Sequence, residues 1–165
     1  MRVAINGFGR IGRSVFRILN SKKNVSVVAI NDIADNDAMA YLLKYDTVMG
    51  PFKDSVSLEG DIMKTSKNQI KMVAERDPSL LPWKEMEVDV VIEATGIFRE
   101  KSQLQQHINA GAKRVILTVP SKDEIDYTLV IGVNDDGLNE DHKIISNASC
   151  TTNCLAPMAK ILNDS

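Results

Sequence analysis

Apolar positions along this chain fall into two rhythms, short β-branched runs and longer stretches at helical spacing. The runs at residues 2–6, 25–30, 88–93, 115–119 and 128–133 predict strands, with a shorter one at 143–146. Helical spacing marks residues 10–20, with Ile11, Val15, Ile18 and Leu19 on one stripe, and residues 37–45, with Met39, Leu42 and Leu43. It returns over 101–109, closed by Gly111, and over 151–162. Residues 48–74 are less regular. Their alternating stretches, Ser55-Val56-Ser57-Leu58 and Ile70-Lys71-Met72-Val73, predict an antiparallel excursion. Strands alternating with helices predict parallel βαβ units with right-handed crossovers. The expected fold is therefore α/β, a doubly wound and mostly parallel sheet with helices on both faces. No repeat, low-complexity tract or flexible linker divides the chain.

In such a sheet ligands lie beyond the carboxyl ends of the strands, so the residues just after each strand carry the chemistry. After residues 2–6 comes Gly7-Phe8-Gly9-Arg10-Ile11-Gly12, a G-x-G-x-x-G that opens a helix. The first glycine permits the tight turn, the second lets backbone approach a pyrophosphate, and the third lets helix and strand pack closely. Free N–H groups at the positive end of the helix then hold the pyrophosphate. The second strand runs into Asn31-Asp32, about twenty residues beyond Gly12, where a carboxylate accepts hydrogen bonds from adenosine ribose hydroxyls. Asp32 would also repel a 2′-phosphate, so NAD is expected rather than NADP, on a Rossmann-type fold. Glu93-Ala94-Thr95-Gly96-Ile97-Phe98 follows the next strand with a small, hydroxylated turn. It reads either as the border of a nicotinamide or ribose or as an ordinary βα turn. Thr118 ends a further strand with an unspecific hydroxyl.

Ser149-Cys150-Thr151-Thr152-Asn153-Cys154 lies between a strand and the last helix. Cys150 is placed at that helix's N-terminus, where the dipole and free N–H groups favour a thiolate and would stabilise an oxyanion once sulfur attacks a carbonyl. Cys154, one turn later, reads as a small packed hydrophobe. Pro157 inside the helix is expected to kink it. C-x-x-x-C with two histidines in the chain makes neither a zinc site nor a redox pair, so no metal is expected.

Composition narrows the function classes further. Lys and Arg number 20 against 22 Asp and Glu, a net charge of −2, which leaves no electrostatic footprint for nucleic acid or an anionic membrane. Four Phe, three Tyr and one Trp are scattered and form no base-stacking platform. Two cysteines build no disulfide framework. Apolar runs fall far short of the ~20 residues of a membrane span, and the start of the chain lacks a signal-peptide segment. A soluble, cytoplasmic domain is expected.

Two stretches carry a family resemblance: Ile5-Asn6-Gly7-Phe8-Gly9-Arg10-Ile11-Gly12-Arg13 and Ser149-Cys150-Thr151-Thr152-Asn153-Cys154-Leu155-Ala156-Pro157. Leu81-Pro82-Trp83, Glu93-Ala94-Thr95-Gly96 and Gly111-Ala112-Lys113 fall in order between them. The chain resembles phosphorylating glyceraldehyde-3-phosphate dehydrogenases over essentially its whole length. A sister family, the erythrose-4-phosphate dehydrogenases, typically has Glu at the place of Asp32 and bulkier apolar residues at Leu155-Ala156. The resemblance implies an NAD-binding unit over residues 1–149 and a catalytic-cysteine helix over 150–165 leading into a second, catalytic domain. It implies that Cys150 adds to the aldehyde, with a thioester later cleaved by inorganic phosphate to an acyl phosphate. Ser149 and Thr151 would bind substrate or attacking phosphate. Asn6, Gly7, Gly9, Arg10 and Ile11 would hold the cofactor around its pyrophosphate, and Asp32 the adenosine ribose. Arg76, Thr95, Gly96 and Thr118 would serve the remainder, with Phe98 beside the adenine. A phosphorylated aldehyde, inorganic phosphate and a homotetramer are implied as partners. The family's general-base histidine and phosphate ligands belong to the second domain. His107, on the polar face of a helix, and His142, in a loop, read as solvated surface residues. Taken alone, these 165 residues are expected to hold a cofactor site and a nucleophile with incomplete chemistry.

Overall fold

The computed structural model describes residues 1–165. The chain runs β1 (Arg2–Asn6), α1 (Arg10–Ser21), β2 (Ser26–Asn31), α2 (Asn36–Lys44), β3 (Ser57–Glu59), β4 (Ile62–Lys64) and β5 (Gln69–Val73). It continues through β6 (Val90–Glu93), α3 (Lys101–Asn109), β7 (Arg114–Leu117), β8 (Tyr127–Thr128), β9 (Ile144–Ser146) and α4 (Cys150–Asp164). The strands form one nine-stranded sheet in the order β3-β4-β5-β2-β1-β6-β7-β9-β8. Every pair from β5 to β8 along that order is parallel, while β3, β4 and β5 pair antiparallel, as the alternation in residues 48–74 predicts. Because β1 sits between β2 and β6, the chain leaves it on one side and returns on the other, which opens a crevice at its carboxyl end.

Side-chain alternation builds two cores. Val3 and Ile5 of β1, with Val90 and Ile92 of β6, join Phe16 of α1 and Met39 and Leu43 of α2 on one face. Ala4 and Val91 join Leu104 of α3 and Trp83, from the segment before β6, on the other. Helices therefore cover both faces of a Rossmann-type sheet.

Three expectations are corrected here. On α1, Ile11 and Ile18 are 52% and 55% exposed, and the buried residues are Gly12, Phe16 and Asn20. The helix turns its four-residue row to the sheet because only glycine lets its backbone approach the β1 turn. On α2, Leu42 is exposed while Met39, Ala40 and Leu43 are buried. The strand predicted at 128–133 is paired only at Tyr127–Thr128. Beyond it Asn134 replaces the ladder, its Oδ1 accepting from Val130 N at 2.8 Å and its Nδ2 donating to Thr128 O at 2.9 Å.

Candidate functional site

The site begins where β1 ends. Gly7 adopts φ +92°, and a Cβ there would stand 2.6 Å from the backbone nitrogen of Thr95, so the turn lies directly on the chain leaving β6. At Gly12 a Cβ would stand 2.0 Å from the Gly7 carbonyl oxygen, whereas at Gly9 it would meet nothing within 4 Å. Gly9 caps α1 without a side-chain hydrogen bond, and the first-turn N–H groups of Arg10 and Ile11 meet no protein acceptor, although neither residue lines the cavity beside the turn. Asp32, just after β2, braces the turn: its Oδ2 accepts from Phe8 N at 2.6 Å and its Oδ1 from Ala34 N at 2.9 Å. A carboxylate has about four acceptor directions, so Asp32 keeps capacity for hydroxyl donors.

Around this turn lies a cavity of about 400 Å³. Asn6, Gly7 and Gly9 line it from the β1 end, and Asn31, Asp32 and Ile33 from the β2 end. Glu75 and Arg76 follow β5, while Ala94, Thr95, Ile97 and Phe98 follow β6. Of the residues expected to meet a cofactor, Asn6, Gly7, Gly9, Asp32, Arg76, Thr95 and Phe98 share this one cavity. Gly96 is exposed at φ +73° and does not line it. The Thr118 hydroxyl, at the end of β7, donates to the Glu93 carbonyl at 3.0 Å.

Sequence reading missed Asn31, Ile33 and Glu75 as lining residues, whereas Ala94 and Ile97 belong to the turn that it reads as a possible cofactor border. Asn31 was the legible one, since it precedes Asp32 at a strand end. Glu75 reaches the cavity only because Asn31 grips its backbone, with Nδ2 donating to Glu75 O and Glu75 N donating to Oδ1, both at 2.8 Å.

Ser149, Cys150 and Thr151 lie beyond β9, three strands from β1 in the same parallel set, about 14 Å across the sheet edge. Ser149 caps α4: its hydroxyl accepts from Thr152 N at 2.9 Å and pairs with the Thr151 and Thr152 hydroxyls at 2.9 and 2.7 Å. Asn153 folds back to donate to the carbonyls of Asn147 at 2.7 Å and Ser149 at 3.0 Å. Ala148, between them, is held at φ +61°, a left-handed conformation costing on the order of 1 kcal/mol. The clamped turn leaves Cys150 exposed on the first turn of α4. Neither its N–H nor that of Thr151 meets a backbone acceptor, so both remain free to meet an oxyanion.

Two readings fail in this region. Cys154 is exposed rather than packed, because α4 buries none of its residues and nothing covers it. His107 is 0% exposed, not a surface residue. Trp83 Nε1 and Glu93 Oε2, both 3.0 Å from its ring nitrogens, satisfy it inside the core. His142 is half-buried, its ring stacked on Tyr127 at 4.7 Å. Pro157 lies within α4, which continues past it to Asp164. No helix of the chain is long and apolar enough to cross a membrane.

Residues 1–101 match the family described as glyceraldehyde 3-phosphate dehydrogenase, NAD binding domain. The chain belongs to that family. A glyceraldehyde-3-phosphate dehydrogenase of Borreliella burgdorferi is 52% identical over 170 residues, covering 100% of this chain and 50% of the relative. That of Thermotoga maritima is 52% identical over 165 residues, covering 99% and 49%. A cytosolic glyceraldehyde-3-phosphate dehydrogenase of Trypanosoma brucei brucei is 49% identical over 164 residues, with the same coverage. The chain spans about half the length of the curated relatives it matches. The cofactor of this domain is NAD, and the cavity suits it. Open backbone at Gly9 and free N–H groups on α1 answer a pyrophosphate, and Asp32 answers a hydroxylated ribose.

Proposed function

We propose that this chain supplies the cofactor site and the nucleophile for NAD-dependent oxidative phosphorylation of D-glyceraldehyde 3-phosphate to 1,3-bisphosphoglycerate, the step shared by glycolysis and gluconeogenesis. The observation that carries the reading is the placing of an exposed Cys150 at a capped helix start on the sheet edge that bears the Gly7–Gly12 turn and Asp32.

Asn6, Gly7, Gly9, Arg10 and Ile11 hold NAD around its pyrophosphate, and Asp32 takes the adenosine ribose. Arg76, Thr95, Gly96 and Thr118 complete the site, with Phe98 at the adenine. Bound NAD supplies the hydride acceptor. The Cys150 sulfur adds to the aldehyde carbon, and the Cys150 and Thr151 N–H groups stabilise the oxygen as it gains charge. Ser149 and Thr151 hold the substrate or the attacking phosphate. Once the carbon is oxidised to a thioester, an inorganic phosphate oxygen attacks it. The C–S bond breaks, the acyl phosphate leaves, and Cys150 is restored.

As the carbon is oxidised and its hydrogen leaves as hydride, the hydroxyl proton of the hemithioacetal must pass to a base. His107 is committed to Glu93 and Trp83, and His142 is stacked on Tyr127, so this reading takes the base and further phosphate ligands from a second catalytic domain. A homotetramer and a cytoplasmic location go with the complete enzyme, and residues 1–149 and 150–165 divide as cofactor unit and entry to the catalytic domain. A module that binds NAD without turnover is the second reading, favoured by the commitment of both histidines.

The test is NADH formation from glyceraldehyde 3-phosphate, phosphate and NAD, by this chain alone and with a polypeptide carrying the second half of a relative. Turnover only in the mixture, abolished by Cys150→Ser, is the expected result. Turnover unaffected by that substitution would remove Cys150 from the mechanism.

A further inference from the structure

Behind the cavity, rather than in it, lies a continuous line of buried polar side chains. Glu93 closes β6 two residues after Val91, so it points to the α3 face of the sheet, and it is 0% exposed, as is His107. A buried carboxylate is costly unless donors meet its oxygens. Oε2 accepts from Asn6 Nδ2 at 2.6 Å and faces His107 Nε2 at 3.0 Å. Oε1 accepts from Thr95 N at 2.9 Å and from the Thr95 hydroxyl. Trp83 Nε1 donates to His107 Nδ1 at 3.0 Å, which makes that nitrogen the acceptor and leaves the ring proton on Nε2, pointing at Glu93. From the other end, Asn31 Nδ2 donates to Asn6 Oδ1 at 2.7 Å, and the same Asn31 amide grips Glu75.

One carboxylate thus orients Asn6 and Thr95 directly and reaches the Glu75 backbone through Asn6 and Asn31, touching walls of the cavity that come from β1, β6 and β5. Neither Glu93 nor His107 lines the cavity. We propose that Glu93, with His107 holding it, is the positioning residue of the NAD site: it sets Asn6, Thr95 and the Glu75 backbone in the arrangement that receives the cofactor. The proposal rests on the NAD reading above.

Three variants separate this role from a purely structural one. In Glu93→Gln the amide NH₂ meets an N–H donor whichever way it turns, Asn6 Nδ2 and His107 Nε2 on one side or Thr95 N on the other. His107→Phe keeps ring volume and removes the hold on Glu93. His107→Gln keeps one acceptor for Trp83 and one donor for Glu93. Each is compared with the unaltered chain by circular dichroism, by calorimetric titration with NAD, and by hydrogen exchange of the Thr95 and Glu75 amides without ligand. Glu93→Gln and His107→Phe are expected to fold, to weaken NAD by about tenfold or more, and to speed exchange at both amides, with His107→Gln restoring most of both. Folded variants that bind NAD within twofold of the unaltered chain overturn the proposal, as does weakened binding with unchanged exchange. If neither Glu93→Gln nor His107→Phe folds, the network serves the fold and the proposal is lost. Exchange that responds as expected in a chain that binds no NAD would leave the positioning network standing and sink the NAD reading instead.

Discussion

At Gly12 an added Cβ would strike the Gly7 carbonyl oxygen at 2.0 Å, while at Gly9 it would enter open space on the cavity wall. Two Gly→Ala substitutions in one motif should therefore fail differently. Gly12→Ala must push α1 off the turn and is expected to cost about 1–3 kcal/mol in urea unfolding. Gly9→Ala is expected to leave the unfolding midpoint unchanged and to weaken NAD in calorimetry, because its methyl stands where a pyrophosphate approaches the backbone. These roles were legible from spacing, since G-x-G-x-x-G between a strand and a helix has one efficient use. His107 was not. On α3 it follows Leu104 by three residues and shares its buried face, but a histidine's burial depends on partners, and Trp83 and Glu93 arrive from distant parts of the chain.

Between elements, Asp126 fastens the start of α3 to the start of β9. Its Oδ2 accepts from Lys143 N at 3.0 Å and Ile144 N at 2.9 Å, and its Oδ1 pairs with Lys101 Nζ at 2.9 Å. Burial acts to raise this carboxyl, but the hydrogen bonds from Lys101, Ile144 and Lys143 outweigh it and hold it below its usual value of 3.8. A carboxyl lowered in the folded state adds stability above its unfolded value and loses it as pH falls through the folded one. Asp126→Ala is therefore expected to cost about 1–3 kcal/mol at neutral pH, with the gap to the unaltered chain narrowing as the pH falls below the usual carboxyl value of 3.8. Denaturant unfolding across that range checks both size and sign. Pattern reading located the strand that Asp126 caps, yet over-extended residues 128–133, because the side chain of Asn134 takes over backbone groups that a ladder would have used.

For the molecule as a whole, the unbalanced part is α4. Leu155, Met158 and Leu162 recur at three- and four-residue spacing, and each is more than half exposed, as is Ile161 beside them. Such a face favours association, and sedimentation of the chain is expected to show concentration-dependent assembly. Replacing Leu155 and Leu162 by Glu should reduce that assembly without lowering the melting temperature, since neither residue packs in either core. The same helix marks the limit of what composition and spacing convey. Local chemistry determined the alternation of strands and helices, the glycine turn, the acid at Asp32 and the cysteine at a helix start, because each follows from near neighbours in the chain. Only the tertiary structure decided that Asn31 and Glu75 share the cavity wall, that Cys154 is exposed, and that Glu93 and His107 form its buried support. Those contacts join residues from 14 to 87 positions apart, and their partners are chosen by strand order and by the face each side chain takes rather than by adjacency in sequence.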